Sequence, residues 1–266
     1  MKKLVTQCPQ GQRIHLRRSE FQTLMVYQDD QLRLLRVDEE AIQSACNLDA
    51  PHELILPYTQ SMMGLFLFQP PPKRALVLGL GGGDMVRFLH HHIPQAGITA
   101  VDIDHEVISV AKEYFMLPKS RIKLICDDAL HFLQSNKTVY DAIFVDLYSA
   151  EGIPPILHSG EFFQRCQSQL SKTGAMALNV LTDDAEEFRD IVMKVRQHFN
   201  YLSLCLKVSE QKNIIIFGFN KRPKQIDQSS LHKKANQLSH QYELGFDGFV
   251  KELFNTNPLE NGELIL

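Results

Sequence analysis

Between positions 74 and 181, short apolar runs alternate with segments of helical character. The apolar runs are RALVLGL (74–80), GITAVDI (97–103), IKLIC (122–126), DAIFVDL (141–147) and AMALNVL (175–181). The segments 84–92, 105–115, 128–135 and 160–170 are predicted to be helices. Nearly continuous apolar strands separated by helices are typical of a parallel sheet that is covered on both faces. The pattern therefore predicts a doubly wound α/β sheet.

The N-terminal part of the chain has a different pattern, in which apolar and polar residues alternate. This alternation runs through RIHLRR, FQTLMVY and QLRLLRV within residues 13–45, with a plausible turn at 28–31. The piece is too short for a core of its own, so we expect it to pack on the main domain or on another subunit. The predicted domains are a small β-rich domain at 1–52 and a Rossmann-like catalytic domain at 53–266.

The segments that flank the alternating region complete the predicted architecture. Residues 53–68 are predicted to form a mostly buried helix, which the prolines at 70–72 end because they lack the N–H group. The runs 202–208 and 213–219 predict a closing antiparallel pair of strands. The tail at 228–266 is polar and is predicted to be partly helical.

Charge and composition narrow the classes of partner. The net charge of −3 and the lack of a long basic run argue against nucleic acid. The longest apolar stretch, 61–68, is too short to span a membrane, and the first residues lack the apolar region of a secretory signal. The five cysteines have no paired spacing, as expected for reduced thiols. We therefore expect a cytoplasmic protein.

A glycine-rich run, Gly79–Asp84, directly follows the first predicted parallel strand and precedes a helix. Glycines let the backbone turn sharply and approach a ligand closely. Asp102 ends the next strand, where a carboxylate can accept hydrogen bonds from both ribose hydroxyls. The loop lacks the GxGxxG spacing, and no Walker lysine follows it. A nucleoside without phosphates therefore fits better than a dinucleotide, and the alternative is a glycine turn that binds no ligand.

Carboxylates are predicted at the ends of four successive parallel strands. Asp128 follows the third strand, where it either caps the next helix or contacts an adenine amino group. Asp146 ends the very apolar strand that follows. Together with Asp84 and Asp102, they would make a negative site at the carboxyl edge of the sheet. Such a site suits a cationic ligand such as a sulfonium or an amine.

Three consecutive histidines, His90, His91 and His92, raise the question of a metal site. Adjacent residues on a helix point about 100° apart, so three in a row cannot all face one ion. No acid or cysteine is placed nearby in the sequence to complete a site. The sequence therefore predicts no metal.

Several motifs together resemble those of the spermidine synthase (polyamine aminopropyltransferase) family. They are GGGD at 81–84, VDID at 101–104, DDA at 127–129 and YDAIFVD at 140–146. Upstream, Ser19-Glu20-Phe21-Gln22 resembles the family's S-x-(Y/F)-Q strand, and Gln43 resembles its second N-terminal glutamine. The resemblance covers about residues 19–181 and implies a Rossmann-like fold of the S-adenosylmethionine methyltransferase type.

The resemblance implies a chemistry and a role for each matching residue. Decarboxylated S-adenosylmethionine would donate an aminopropyl group to a small amine such as putrescine, and methylthioadenosine would leave. The donor would be held by Gln22, Gly81, Gly82, Gly83, Asp84, Asp102 (ribose), Asp128 (adenine) and Ala129. The substrate amines would be held by Gln43, Tyr58, Asp84 and Asp146, of which Asp84 and Asp146 would hold the donor's aminopropyl ammonium. Asp146 would act as the catalytic base, no metal would take part, and the enzyme would be a homodimer.

The sequence departs from the family pattern after the fourth parallel strand. Spermidine synthases typically read D-S-x-D-P there, whereas this chain has Ser149 in place of the second acid, with Glu151 nearby. Met85 also replaces the usual glycine after GGGD. The run Gly152-Ile-Pro-Pro, followed by Glu161-Phe-Phe, suggests a divergent bacterial branch. Two alternatives stay open: a methyltransferase that uses intact S-adenosylmethionine, and an inactive homologue that binds a nucleoside or polyamine.

Overall fold

The computed structural model describes residues 11–37, 41–147 and 152–266. The strands are β1 (Gln12–Arg18), β2 (Thr23–Gln28), β3 (Leu32–Val37), β4 (Ala41–Asn47), β5 (Arg74–Leu78), β6 (Gly97–Asp102), β7 (Ile122–Cys126), β8 (Tyr140–Val145), β9 (Leu170–Leu181), β10 (Ser203–Lys207), β11 (Asn213–Phe219), β12 (Leu259–Glu260) and β13 (Glu263–Leu264). The α-helices are α1 (Pro57–Met62), α2 (Asp84–His92), α3 (His105–Tyr114), α4 (Ala129–Ser135), α5 (Gly160–Ser168), α6 (Ala185–His198), α7 (Gln228–Tyr242) and α8 (Phe246–Thr256).

The central sheet has seven strands in the order β10-β11-β9-β8-β5-β6-β7. The strands from β9 to β7 in this order are parallel, and β10 and β11 close the sheet as the predicted antiparallel pair. Along β5, Ala75 and Val77 belong to one apolar core and Leu76 and Leu78 to another. Helices therefore cover both faces, and the predicted doubly wound α/β class is confirmed.

The N-terminal piece is a four-stranded antiparallel sheet in the order β1-β2-β3-β4. Its buried residues Leu24, Val26, Leu35 and Val37 share one apolar core with the helices on one face of the central sheet. The expectation that this piece packs on the main domain is therefore met. The predicted boundary at residue 52 falls in the turn between β4 and α1, and the two-domain division itself stays a prediction.

Two segments differ from the sequence-based expectation. The helix predicted over 53–68 begins only at Pro57, a residue suited to a first helical turn, and changes to a 3-10 helix at Met63–Leu67. The tail is more ordered than its polarity indicates, because α7 and α8 each bury an apolar face. Their buried residues extend the core that also holds the N-terminal sheet.

The sequence predicts no membrane-spanning segment and cysteines that are reduced. Within the described residues, no helix is long and apolar enough to cross a membrane. Cys46, Cys126, Cys166 and Cys205 are free thiols, and Cys126 is exposed rather than buried. Cys8 lies outside the described residues.

Candidate active site

A cavity of about 830 Å³ opens at the carboxyl ends of the parallel strands, a volume typical of small-molecule sites. The N-terminal sheet and α1 form its opposite wall through Gln22, Gln43 and Tyr58. The aspartates in its lining are Asp84, Asp102, Asp127, Asp128 and Asp146. Among the lining residues that the structure describes there is no lysine or arginine. The cavity is therefore negative and favours a cationic ligand.

The glycine run forms the floor of the cavity and contacts β4. Gly79 has a φ of +88°, and a Cβ there would lie 2.0 Å from the carbonyl oxygen of Asp146, so only glycine fits. Gly81 lines the cavity. Gly82 and Gly83 do not: the Gly82 N–H donates to Ser44 Oγ at 2.7 Å, and Gly83 is the N-cap of α2. The loop is thus shaped partly by Ser44, which the sequence did not single out.

Asp102 is held by backbone groups on both sides. Its Oδ2 accepts the Leu80 N–H at 2.8 Å, and its Oδ1 accepts the Asp104 N–H at 2.9 Å. Burial raises the pKa of Asp102 to about 6, although these hydrogen bonds oppose the increase. The carboxylate is therefore mostly ionised at neutral pH. Each oxygen has a further lone pair that can accept a hydroxyl proton, as the ribose prediction requires.

Asp128 acts as the N-cap of α4. Its Oδ1 accepts the N–H groups of Leu130 and His131, both at 2.9 Å. The capping alternative is therefore observed, and the contact with adenine through Oδ2 stays a prediction. Ala129 follows in the cavity wall.

Gln22 lies in the cavity wall and is tied to a buried acid. Its Nε2 donates to Asp104 Oδ2 at 3.3 Å, and Ser19 Oγ donates to the same oxygen at 2.6 Å. The other oxygen of Asp104 accepts the Glu106 N–H and caps α3. Asp104 thus fixes Gln22 against the carboxyl end of β6. Sequence reasoning assigned it no role, although it ends the VDID motif.

Asp146 is held by side chains from distant parts of the chain. Asn179 Nδ2 donates to its Oδ1 at 2.9 Å, and Tyr58 OH donates to its Oδ2 at 3.1 Å. Asn213 in turn donates to Asn179 Oδ1 at 2.9 Å and fixes the orientation of that amide. Burial raises the pKa of Asp146 to about 6, the two direct hydrogen bonds lower it, and the charge of Asp84 adds to the increase.

The two asparagines behind Asp146 were missed from the sequence. Asn179 interrupts the apolar run AMALNVL, and Asn213 begins the run NIIIFGF. An amide inside an apolar strand needs a partner, so Asn179 was a usable signal. Its partners, however, follow only from the pairing of β11 with β9.

Tyr58 and Gln43 form the wall opposite Asp146. Burial and the neighbouring carboxylates hold the pKa of Tyr58 well above its usual range, so its hydroxyl stays protonated and donates. Gln43 places its carbonyl oxygen 3.3 Å from that hydroxyl. The side-chain Oε1 of Gln43 is buried and accepts no hydrogen bond from any residue that the structure describes.

Asp84 is buried at the start of α2 and paired with a residue of the same helix. Arg87 Nη2 donates to Asp84 Oδ1 at 2.8 Å, and the Ala45 N–H donates to Oδ2 at 3.2 Å. Burial raises the pKa of Asp84, and the Arg87 guanidinium opposes the increase. Arg87 does not line the cavity. Sequence reasoning missed Arg87, although an acid and an arginine three residues apart on a helix commonly pair.

The sequence-predicted residues thus meet in one place, with exceptions. Gly82 and Gly83 lie behind the cavity surface. Ser149 and Glu151 lie outside the described residues. The arrangement offers hydrogen-bond-accepting carboxylates at Asp102 and Asp128, and negative charge around Asp84 and Asp146.

Comparison with known proteins gives the same family that the motifs indicate. Residues 56–224 match the model of the spermine/spermidine synthase domain. The polyamine aminopropyltransferase of Chromobacterium violaceum is 30% identical over 243 residues, which cover 91% of this chain and 93% of that protein.

Solved structures agree on the fold. Spermidine synthase in complex with the transition-state analogue AdoDATO superposes with a TM-score of 0.64 and 15% identity over 94% of this chain and 85% of that one. Human methyltransferase-like protein 13 in complex with SAH has a TM-score of 0.65 and 26% identity over 71% of this chain and 93% of that one. The domain model matches more than half of the chain, and the relative from Chromobacterium violaceum is aligned over nearly its full length. The chain therefore belongs to the spermine/spermidine synthase family.

Proposed function

We propose that this protein is an aminopropyltransferase that moves an aminopropyl group from decarboxylated S-adenosylmethionine to a small amine such as putrescine. The observation that carries the proposal is the half-buried Asp146, held in the negative cavity by Tyr58 and Asn179. Family membership and the relatives named polyamine aminopropyltransferase support it. No metal is proposed for the reaction.

The donor would occupy the half of the cavity formed by the ends of β6 and β7. Asp102 would accept the ribose hydroxyls, Asp128 and Ala129 would border the adenine, and Gly81 and Gln22 would enclose the nucleoside. An adenosyl-type ligand is supported by the neighbours solved with AdoDATO and SAH. The sulfonium charge would be attracted by the surrounding aspartates.

The acceptor would occupy the half bounded by Asp146, Tyr58 and Gln43. Asp146, ionised above about pH 6, would take a proton from the acceptor ammonium. The freed nitrogen lone pair would attack the carbon next to the sulfonium. The new C–N bond forms as the C–S bond breaks, and the electron pair of that bond stays on sulfur, giving neutral methylthioadenosine. The remaining residues act by positioning.

The test is a product assay with the full chain, decarboxylated S-adenosylmethionine and putrescine. We expect methylthioadenosine and the aminopropylated amine in equal amounts by mass spectrometry. Without acceptor, product should be absent. If the chain binds the donor yet forms no product with any amine offered, the protein is the inactive binding homologue instead.

Methyl transfer is the second candidate, and the Asp84–Arg87 pair is the observation that favours it. An unpaired Asp84 would repel the carboxylate of the methionine part of S-adenosylmethionine. The buried guanidinium of Arg87 neutralises part of the negative charge of Asp84 and so weakens that repulsion. Calorimetry with both donors separates the candidates. We expect the decarboxylated donor to bind about tenfold more tightly or better; a preference for intact S-adenosylmethionine, with SAH as product, would favour methyl transfer.

We also propose a homodimer that works in the cytoplasm, with neither nucleic acid nor membrane as partner. The N-terminal sheet exposes Ile14, Leu16 and Phe21, with exposed fractions of 39%, 45% and 46%. Such a group of exposed apolar side chains suits an interface. Sedimentation at micromolar concentration should show a dimer, and a persistent monomer would contradict it.

A further inference from the structure

A histidine cluster lies at the end of α2 that is remote from the cavity. It combines His91 and His92, in the last turn of α2, with His52, in the turn between β4 and α1. One ligand atom of each ring lies within 4.8 Å of those of the other two. Across the described ranges of the chain, no other group of three histidine, cysteine or acidic side chains converges in this way.

The spacing of the rings is close to that of a tetrahedral metal site. Two imidazole nitrogens bound to one zinc ion at 2.0–2.1 Å lie about 3.3 Å apart. Because a ring nitrogen offers its lone pair in the plane of the ring, binding of one ion requires the His52 ring to rotate out of its nearly parallel stack on His91. His52 stacks on His91 with ring centroids 3.7 Å apart, and the centroids of His91 and His92 are 4.8 Å apart. Side chains of neighbouring residues on a helix point about 100° apart, so His91 and His92 alone cannot surround an ion. The His52 ring comes from another segment and lies beside both of them.

Other contacts already hold the cluster together. Arg87 Nε donates to the carbonyl oxygen of Pro51 at 2.6 Å, which ties the turn that carries His52 to α2. The His92 ring packs against Phe88 and Tyr242, with centroids 4.5 and 5.6 Å away. The segments that supply the ligands are thus positioned without any ion.

The local charge also favours a cation. The cluster lies at the C-terminal end of α2, where the helix dipole places partial negative charge. The Glu243 carboxylate interacts electrostatically with the His91 ring, so an acid borders the site.

We propose that His52, His91 and His92 bind a divalent transition-metal ion of the zinc class, with three imidazole ligands and a fourth position open to water. Imidazole is a preferred ligand of zinc, copper and nickel, and the lack of a thiolate argues against softer ions. The three consecutive histidines alone predicted no metal. The proposal differs from that prediction because His52 joins the cluster and His90 is left out of it.

The ion would have a structural role. The nine residues of α2 span about 13 Å, so the cluster and the cavity are at opposite ends of the helix. A bound ion would fasten the connection between β4, which carries Gln43, and α1, which carries Tyr58. It should therefore raise the thermal stability, and it needs no part in the chemistry. The proposal is independent of the proposed function.

The test uses the full chain without a polyhistidine tag, treated with a chelator and then titrated with zinc by calorimetry. We expect one equivalent per chain, a rise in Tm, and visible absorption typical of tetrahedral coordination when cobalt replaces zinc. H52Q and H91Q should each weaken binding by at least about tenfold, the cost of losing even an outer-shell partner. H90Q is the matched control and should bind as the parent does.

The result that overturns the proposal is the lack of one-to-one zinc binding by the parent chain. Equal zinc affinity in H52Q and the parent would overturn it too, because the ion would then bind elsewhere. His92 is left unchanged since it packs against buried rings. The Tm of each metal-free variant, compared with the metal-free parent, checks that the fold survives the substitution.

Discussion

The half of the cavity proposed to hold the donor (the nucleoside half) and the half proposed to hold the acceptor (the reaction half) are built in different ways. In the nucleoside half, the carboxylates of Asp102 and Asp128 accept backbone N–H groups at the ends of β6 and β7. In the reaction half, Asp146 is held by Tyr58 and Asn179, side chains far away in the sequence. The first half follows from strand–turn–helix geometry, whereas the second forms only when the sheet, α1 and the N-terminal piece come together.

This difference separates nucleoside binding, which the fold alone can support, from the transfer step, which depends on particular side chains. A carboxylate held by backbone groups needs only the fold, and the fold is common to synthases and a methyltransferase. A carboxylate held by a tyrosine and an asparagine depends on particular side chains. We therefore expect substitutions in the reaction half to change turnover, and substitutions in the nucleoside half to change donor affinity.

The largest effect should come from Asp146→Asn. The amide keeps the shape of the side chain but cannot accept the acceptor's proton, so kcat should fall about 10²–10⁴-fold. Methylthioadenosine affinity should stay within about threefold of the parent. Asp190→Asn, a neutralised acid on α6 away from the cavity, is the control and should keep full activity. Undiminished turnover by Asp146→Asn would refute the base assignment.

Arg87→Met should have the next largest effect, a loss of folding stability rather than of turnover. It leaves Asp84 buried without its counter-ion, which typically costs about 3–5 kcal/mol. Urea unfolding measures the loss. Adding Asp84→Asn to Arg87→Met should recover part of it, because the unpaired charge is then gone. If Arg87→Met unfolds at the same urea concentration as the parent, the pair contributes nothing to the fold.

A smaller effect is expected in the pH profile. Because Asp146 must be ionised and its pKa is raised to about 6, kcat/KM should fall as the pH drops below about 6. Tyr58→Phe removes a hydrogen bond that favours the ionised form, so the acid limb should move to higher pH by about one unit. Activity at alkaline pH should change much less. A limb that moves to lower pH would contradict the role given to Tyr58.

The smallest effect distinguishes the two roles of Asp128. Asparagine is about as good an N-cap as aspartate, so Asp128→Asn should leave the free energy of unfolding within a few tenths of a kcal/mol. If Asp128 also contacts adenine, methylthioadenosine affinity should fall by about threefold to tenfold, a loss of order 1 kcal/mol. Calorimetry measures it. Unchanged affinity in Asp128→Asn would leave capping as its sole role.

Sequence reasoning was most successful where structure is local. The strands and helices from β5 to β9 follow from the apolar pattern, and the edge of the sheet where the aspartates meet follows from their order. The strand β4 was missed because its buried residues are Ser44, Ala45 and Cys46, small side chains with no clear alternation. The helices of the tail were underestimated because polar residues outnumber the apolar stripe that each one buries.

The reaction half could be predicted only in part. The motif resemblance indicated Asp146 and Tyr58 singly, but nothing in the sequence places Asn179 beside Asp146 or Asn213 beside Asn179. Those contacts depend on strand register and on packing between remote segments. The pairing of Arg87 with Asp84 could have been predicted, because the two residues are three positions apart on a predicted helix. Only the burial of Arg87 could not have been predicted.

The contact between Ser44 and Gly82 has a consequence for how this protein can evolve. A Cβ at position 82 would lie 2.8 Å from Ser44 Cβ and 2.9 Å from a ring carbon of Phe115, so position 82 cannot accept a side chain while both neighbours stay as they are. The N-terminal sheet and the glycine loop are therefore not interchangeable modules. In a set of related sequences, a residue other than glycine at position 82 should be accompanied by changes at positions 44 and 115, and a chimaera that combines the sheet of one relative with the glycine loop of another should need all three residues from the same parent.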